Sequence, residues 1–135
     1  MSRSGCSDDC DDPRLLAMWR GAVASAIRGK RGQVFLKEML AALEYLPDKK
    51  LIAHELEKDG AVCAIGAVGR NRGIDMANID PEDHEFVAVQ FGISHALACE
   101  IMFMNDESTS WYRNEETPEA RFERMKSWIS GLIKS

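Results

Sequence analysis

The residues best suited to chemistry are three histidines, four cysteines and an Asn-Asp-Glu run at 105–107. A histidine beside a carboxylate can act as a general base or a metal ligand, and a thiolate can act as a nucleophile. The spacing favours neither role, because His54, His84 and His95 are scattered along the sequence. His54-Glu55 lacks the second histidine, four positions after the first, that a metalloprotease helix requires. The sequence therefore predicts a protein that is not an enzyme.

The sequence also predicts no bound metal and no cofactor. Cys6 and Cys10 lie among aspartates, without a nearby histidine or further cysteine to complete a tetrahedral zinc site. Cys63 and Cys99 fall in apolar segments, where a buried and inert thiol is expected. The glycines at 60–73 match neither the phosphate loop nor the dinucleotide fingerprint. An enzyme with a site near Cys63 and the Asn-Asp-Glu run stays as the least favoured alternative.

Acidic residues supply the first candidate binding site. The interval from Gly73 through Tyr112 contains no Lys or Arg, and the whole chain has a net charge of -5. A nucleic-acid partner is therefore disfavoured, while a basic protein partner is expected. Four acids lie together at the start of a predicted helix and are candidate contacts, namely Asp80, Glu82, Asp83 and Glu85.

A basic run at residues 28–32 is the second candidate. Arg28, Lys30 and Arg31 could hold a phosphate or an acidic protein, and Arg70 and Arg72 could enlarge the patch. The favoured alternative is a solvated turn between two helices, with cations that complement the end of the first helix.

An aromatic pair is the third candidate. Trp111 and Tyr112 lie in a polar linker between two predicted helices. An exposed pair would be an interface anchor, whereas a pair folded onto the core would pack under the last helix.

Residues 82–104 are similar to the helix-turn-helix of DNA-binding regulators. Ala88 and Gly92 match the small residue and the turn glycine of that motif. The second helix, from Ser94 to Ile101, contains no Lys or Arg to contact phosphates. A plain corner between two helices is therefore favoured over a DNA reader.

The elements that must position these residues are predicted to be mainly helical. Hydrophobic spacing predicts a mainly α fold, a single-domain compact bundle of five to six helices with one minor β-hairpin. Residues 1–12 read as a disordered acidic tail and residues 13–135 as one domain. No apolar run is long enough to span a membrane, so a cytoplasmic protein is expected.

The first two helices are predicted from apolar stripes on either side of the basic run. The first helix begins at Pro13 and the second ends at Pro47. The apolar stripe of the first helix is Leu15, Leu16, Trp19, Val23 and Ile27, and that of the second is Phe35, Met39, Ala42, Leu43 and Leu46.

The later elements are predicted from turn and capping signals. Residues 51–57 are assigned to a strand that pairs back after an Asp59-Gly60 turn, and 63–72 to a helix whose glycines allow close packing. Asp80-Pro81 should begin the next helix, which Gly92 ends. A further helix should follow Ser94 and stop at Asn105, and Thr117-Pro118 should begin the last.

Several segments together resemble a group of small uncharacterised proteins encoded by bacteriophages and prophages. They are Ala26-Ile-Arg-Gly-Lys-Arg-Gly-Gln33, Val62-Cys-Ala-Ile-Gly-Ala-Val68, Asn105-Asp-Glu107 and Glu116-Thr-Pro-Glu-Ala-Arg121. The resemblance implies a bacterial or phage setting and transfers no catalytic or binding residue. In that setting we expect an accessory protein that binds and modulates a host or phage protein, such as a host-defence complex. The alternative is a nucleic-acid-binding regulator that uses residues 28–32 or the helix-turn-helix at 82–104.

Overall fold

The computed structural model of the chain describes residues 13–106 and 116–134, which form a mainly α fold with one minor β-hairpin. The prediction of that fold is confirmed, and the predicted tail, residues 1–12, lies outside the described residues. The elements are α1 (Pro13–Arg28), α2 (Lys30–Tyr45), β1 (Glu57–Lys58), β2 (Ala61–Val62), α3 (Ala64–Arg72), α4 (His84–Phe91), α5 (His95–Asp106) and α6 (Pro118–Leu132).

One hydrophobic cluster joins α2 to α6. The predicted apolar stripe of α2 is buried throughout, from Phe35 to Leu46. Phe122, Met125 and Ile129 of α6 are likewise buried. The core therefore lies between α2, α3, α5 and α6, with α4 closing one end.

The first helix differs from the prediction. Of its apolar stripe only Val23 is buried, while Leu15 and Leu16 are 51% and 42% exposed. Ala26 and Ile27, in the C-terminal half of α1, are partly buried against the core cluster. Helical spacing shows that apolar residues share a face, but it does not show that another element covers that face.

The predicted basic loop at 28–32 is a corner between two helices. Gly29 is the sole break between α1 and α2, and Gly32 lies inside α2. The backbones meet so closely here that a Cβ on Gly32 would collide with the Ala26 carbonyl. The buried Gln33 side chain then ties the corner to the end of α6: Nε2 donates to Ile27 O at 2.7 Å and to Leu132 O at 3.0 Å.

The hairpin is shorter than predicted. Asp59 and Gly60 form its turn with positive φ angles of 52° and 84°, as the Asp-Gly pair predicts. Glu57 pairs with Val62, but residues 51–56 form no strand. The backbone N–H of Leu51 instead donates to Pro118 O at 3.0 Å, so this segment is held by α6.

The glycines of α3 allow the close packing that was predicted. A Cβ on Gly66 would collide with the Leu56 carbonyl, and a Cβ on Gly69 would press against Met76 and Phe91. Helix α3 therefore lies against the backbone of the segment before it.

One predicted boundary is wrong. Helix α4 begins at His84, because Asp83 is its N-cap, and Asp80 instead starts the preceding turn, where its carboxylate accepts from Glu82 N at 2.9 Å. Helix α5 ends at Asp106, one residue beyond the predicted stop at Asn105, whose side chain is buried at 1% exposure. Gly92, with a φ of 72°, and Ser94, which accepts from Leu97 N, form the corner between α4 and α5 as predicted.

Candidate functional site

The four acidic candidates are all exposed around the start of α4. The carboxylates of Asp80 and Asp83 accept hydrogen bonds from the backbone N–H groups of Glu82 and Phe86. Asp83 thus caps α4 and Asp80 stabilises the preceding turn, whereas Glu82 and Glu85 have no ion-pair partner within the described part of the chain.

Two exposed apolar side chains accompany these acids. Phe86 is 42% exposed and Val89 is 75% exposed, both on α4. Val89 follows Glu85 by four residues and Phe86 by three, so the three side chains are neighbours on the helix surface. We call Glu82, Glu85, Phe86 and Val89 the α4 face. This face therefore combines apolar area and acidic groups that are both accessible to another molecule.

The basic candidates lie at the α1–α2 corner. Arg28, Lys30 and Arg31 are exposed, and none has an ion-pair partner among residues 13–106 and 116–134. Lys30 and Arg31 border a cavity of about 210 Å³ whose other walls include Ser94 and Leu97 at the start of α5.

The other two arginines do not enlarge this patch. Arg72 forms a two-pronged ion pair with Glu38, with distances of 2.6 and 2.8 Å. Arg70 donates to Gly60 O and lies 3.5 Å from Glu57. Both cations are therefore used inside the fold.

The helix-turn-helix geometry is present, but the helix that would read DNA is not accessible. Helices α4 and α5 meet at 108°, within the range of such motifs. However, every residue of α5 from Ala96 to Phe103 is buried. A buried helix cannot enter a major groove, so the burial of α5 gives no support to DNA reading at this corner.

No single helix in the described ranges is long and apolar enough to cross a membrane. Taken together, α4 and α5 reach that length and composition, but they are bent by 108° at the break between them.

Cys63 and Asn105, the weakest candidates for catalysis, have structural roles. Cys63 Sγ caps α3 by accepting from Gly66 N at 3.3 Å, and burial raises the pKa of this thiol to about 12. Asn105 joins α5 to two other segments, with Ala64 N donating to Oδ1 at 3.1 Å and Nδ2 donating to Ile52 O at 2.9 Å. A protonated, buried thiol is a poor nucleophile.

A cluster that the sequence reasoning missed lies where α4 meets α5. His84, His95 and Cys99 each offer a ligand atom, and these atoms all lie within 4.8 Å of one another. His84 Nδ1 is 3.3 Å from Cys99 Sγ. The interpretation of the histidines as scattered is therefore wrong for His84 and His95. The available signal was the four-residue spacing of His95 and Cys99, which places both on one side of a helix.

The surroundings of this cluster are partly buried and incompletely hydrogen-bonded. The Trp19 ring of α1 packs edge-on against His95, with centroids 6.2 Å apart. Burial lowers the pKa of His84, and the nearby His95 lowers it further. Burial raises the pKa of Cys99 to about 12, with further contributions from nearby glutamates. At neutral pH the cluster therefore holds a neutral imidazole beside a protonated thiol.

Trp111 and Tyr112 lie outside the described residues, so the structure does not test them as an interface anchor.

The chain matches no family profile, and no curated protein or solved structure is significantly similar to it.

Proposed function

We propose that this chain is a non-enzymatic accessory protein of a phage or prophage that binds and modulates a host or phage protein through the α4 face. The observation that carries the proposal is that two exposed apolar side chains on α4 accompany two exposed acids, one on α4 and one just before its N-cap, that have no ion-pair partner among the described residues. Phe86 and Val89 offer apolar area that can be desolvated at the centre of a contact, and Glu82 and Glu85 form its rim.

The charge of this region indicates the chemistry of the partner. No cation occurs from residue 73 through 112, so no lysine or arginine of that segment offsets its acids. A partner that places basic residues around an apolar patch is therefore complementary. A host-defence protein with a basic nucleic-acid-binding surface is one such partner.

Binding is tested by comparing two α4 variants with a matched control. Three tagged proteins are used to capture partners from lysate of a bacterial host. They are the wild-type chain, the apolar variant Phe86→Ser/Val89→Ser and the charge-reversal variant Glu82→Lys/Glu85→Lys. The control, Glu44→Lys/Tyr45→Ser, alters an exposed acid and a 79% exposed aromatic residue on α2.

We expect a protein that the wild-type chain and the control retain and that both α4 variants lose. Its affinity should fall with added salt, because the acids contribute through long-range attraction. A partner retained equally by both α4 variants would place the binding surface elsewhere. Recovery of no specific partner would remove support for the proposal as a whole.

A second candidate function is phosphate or nucleic-acid binding at the α1–α2 corner. It is favoured by Lys30 and Arg31, which have no ion-pair partner in the described ranges and lie beside the cavity of about 210 Å³. Gly29 provides no side-chain cap for α2, so N–H groups of its first turn remain available to an anion.

The corner is tested by fluorescence anisotropy with labelled single- and double-stranded DNA at low salt. The triple variant of the corner, Arg28→Gln/Lys30→Gln/Arg31→Gln, should bind DNA more weakly and with a smaller salt dependence. The matched control removes the same charge at other exposed positions, with Lys37→Gln/Lys50→Gln/Lys58→Gln. No complex at low salt, or equal weakening by the two triple variants, would exclude specific use of this corner.

A further inference from the structure

The cluster at the α4–α5 corner brings together three side chains of the types that bind transition metals. Two imidazoles and one thiol form a nitrogen and sulfur set, which suits zinc and its neighbours rather than magnesium or calcium. The 108° bend places His84, the first residue of α4, beside His95 and Cys99 on α5.

The distances are close to those that a metal would impose. A tetrahedral zinc ion, with bonds of about 2.0–2.1 Å to nitrogen and about 2.3 Å to sulfur, holds its ligand atoms about 3.3–3.6 Å apart. His84 Nδ1 and Cys99 Sγ, which are in hydrogen-bond contact at 3.3 Å, already lie within about 0.3 Å of the nitrogen–sulfur separation that the ion would impose. The limit of 4.8 Å for all three atoms requires a shortening of about 1.2–1.5 Å at most, which rotation of exposed or half-buried imidazoles provides.

The cluster also contains polar atoms that protein groups leave unsatisfied. Within the described residues, three buried side-chain nitrogens have no hydrogen-bond partner, and two of them, Trp19 Nε1 and His84 Nε2, lie here. A buried polar atom without a partner costs about 1–3 kcal/mol, so each such atom requires an explanation, such as a bound ion or water. Trp19 Nε1 carries a hydrogen and cannot bind a cation, so of these two atoms only His84 Nε2 is a further candidate ligand atom.

The local charge favours a cation. Glu82, Asp83 and Asp106 all act electrostatically on His84 and favour its positively charged form. His95 acts in the opposite direction. These three carboxylates would therefore attract a divalent cation.

We propose that His84, His95 and Cys99 form a site for one divalent transition-metal ion of the zinc class. The three side chains occupy three tetrahedral positions, and water or a donor atom from another molecule occupies the fourth. On binding, the thiol proton of Cys99 leaves to solvent and the sulfur becomes a thiolate ligand. The ion links α4 to α5.

The test uses the full chain with Cys6→Ser/Cys10→Ser, which removes the two other clustered thiols. After treatment with a chelator, the protein is titrated with Zn²⁺ in competition with a chromophoric chelator, and with Co²⁺ as a spectroscopic substitute. We expect one ion per chain and a cobalt–thiolate charge-transfer band. The ligand variants are His84→Gln, His95→Gln and Cys99→Ser, and the matched controls are His54→Gln and Cys63→Ser.

Each ligand variant should weaken Zn²⁺ binding by at least about 10- to 100-fold, the effect known for outer-shell partners of metal ligands. Cys99→Ser should also abolish the charge-transfer band, and both controls should retain it. Circular dichroism establishes whether each variant is folded. If Cys99→Ser does not fold, because Cys99 is buried, Zn²⁺ binding by His84→Gln and His95→Gln still tests the site. Absence of stoichiometric binding would overturn the proposal, and so would binding unaffected by the histidine variants or lost equally in the controls.

Discussion

Replacing Asn105 with alanine tests how the elements of this fold are fastened together. Asn105 lies in the last turn of α5 and is 1% exposed. Its Oδ1 accepts from Ala64 N, and its Nδ2 donates to Ile52 O. One side chain thus joins α5 to the start of α3 and to the segment before the hairpin.

The expected loss follows from the two hydrogen bonds. Ala64 is fully buried, so water cannot replace the acceptor, and an unpaired buried donor costs about 1–3 kcal/mol. Ile52 is half-buried, and losing its hydrogen bond costs about 1 kcal/mol more. We expect Asn105→Ala to lower the free energy of unfolding by about 2–4 kcal/mol, a large share of the roughly 5–15 kcal/mol typical of a domain.

Urea unfolding followed by circular dichroism measures this loss. With a slope of about 2 kcal/mol per molar urea, the midpoint should fall by about 1–2 M at unchanged slope. Asn78→Ala is the control, because Asn78 is exposed and should change stability by less than about 0.5 kcal/mol. A loss below about 1 kcal/mol, or one equal to that of the control, would refute the assignment of Asn105 as a structural link.

Two further predictions concern packing and charge. Gly66→Ala should lower the free energy of unfolding, measured in urea, by more than about 1 kcal/mol, because the added Cβ would collide with the Leu56 carbonyl. The control is Gly131→Ala in α6, where an added Cβ meets nothing within 4 Å. This variant should raise the free energy of unfolding by about 0.5–1 kcal/mol. Equal effects would contradict the close approach at α3. The hydrogen-bonded Arg72 guanidinium lowers the pKa of Glu38, so this pair stabilises the folded state above the ordinary pKa of the carboxyl and ceases to do so as pH falls through the lowered value. Glu38→Gln should therefore cost up to about 1 kcal/mol at pH 7, since the pair is a third exposed, and nothing at low pH in parallel urea titrations. A cost independent of pH would point to packing instead.

The two proposals meet at one helix. His84 lies between Asp83 and Glu85, so a metal held by His84, His95 and Cys99 would hold the start of α4 in place. A fixed helix loses less conformational freedom on binding a partner, which strengthens the complex. If both proposals hold, Zn²⁺ should increase the affinity of the wild-type chain for its captured partner but not that of His95→Gln.

Local signals predicted several elements well. The apolar stripe of α2, the Asp59-Gly60 turn and the Gly92-Ser94 corner depend on interactions within a few residues, and all three are confirmed. The errors arose where a local signal had two uses. Asp80 and Asp83 are both suitable N-caps, and the structure uses the second for α4 and the first for a turn.

The amino-acid sequence by itself determined the helical class, the positions of most turns, and the concentration of acids without cations after residue 73, because these follow from residue type and near-neighbour spacing. Only the tertiary structure decided which apolar residues remain exposed on α1 and α4, and that Asn105 is an internal link. It alone placed His84 against Cys99, fifteen residues away along the chain, because the angle between two helices depends on the packing of both against the core.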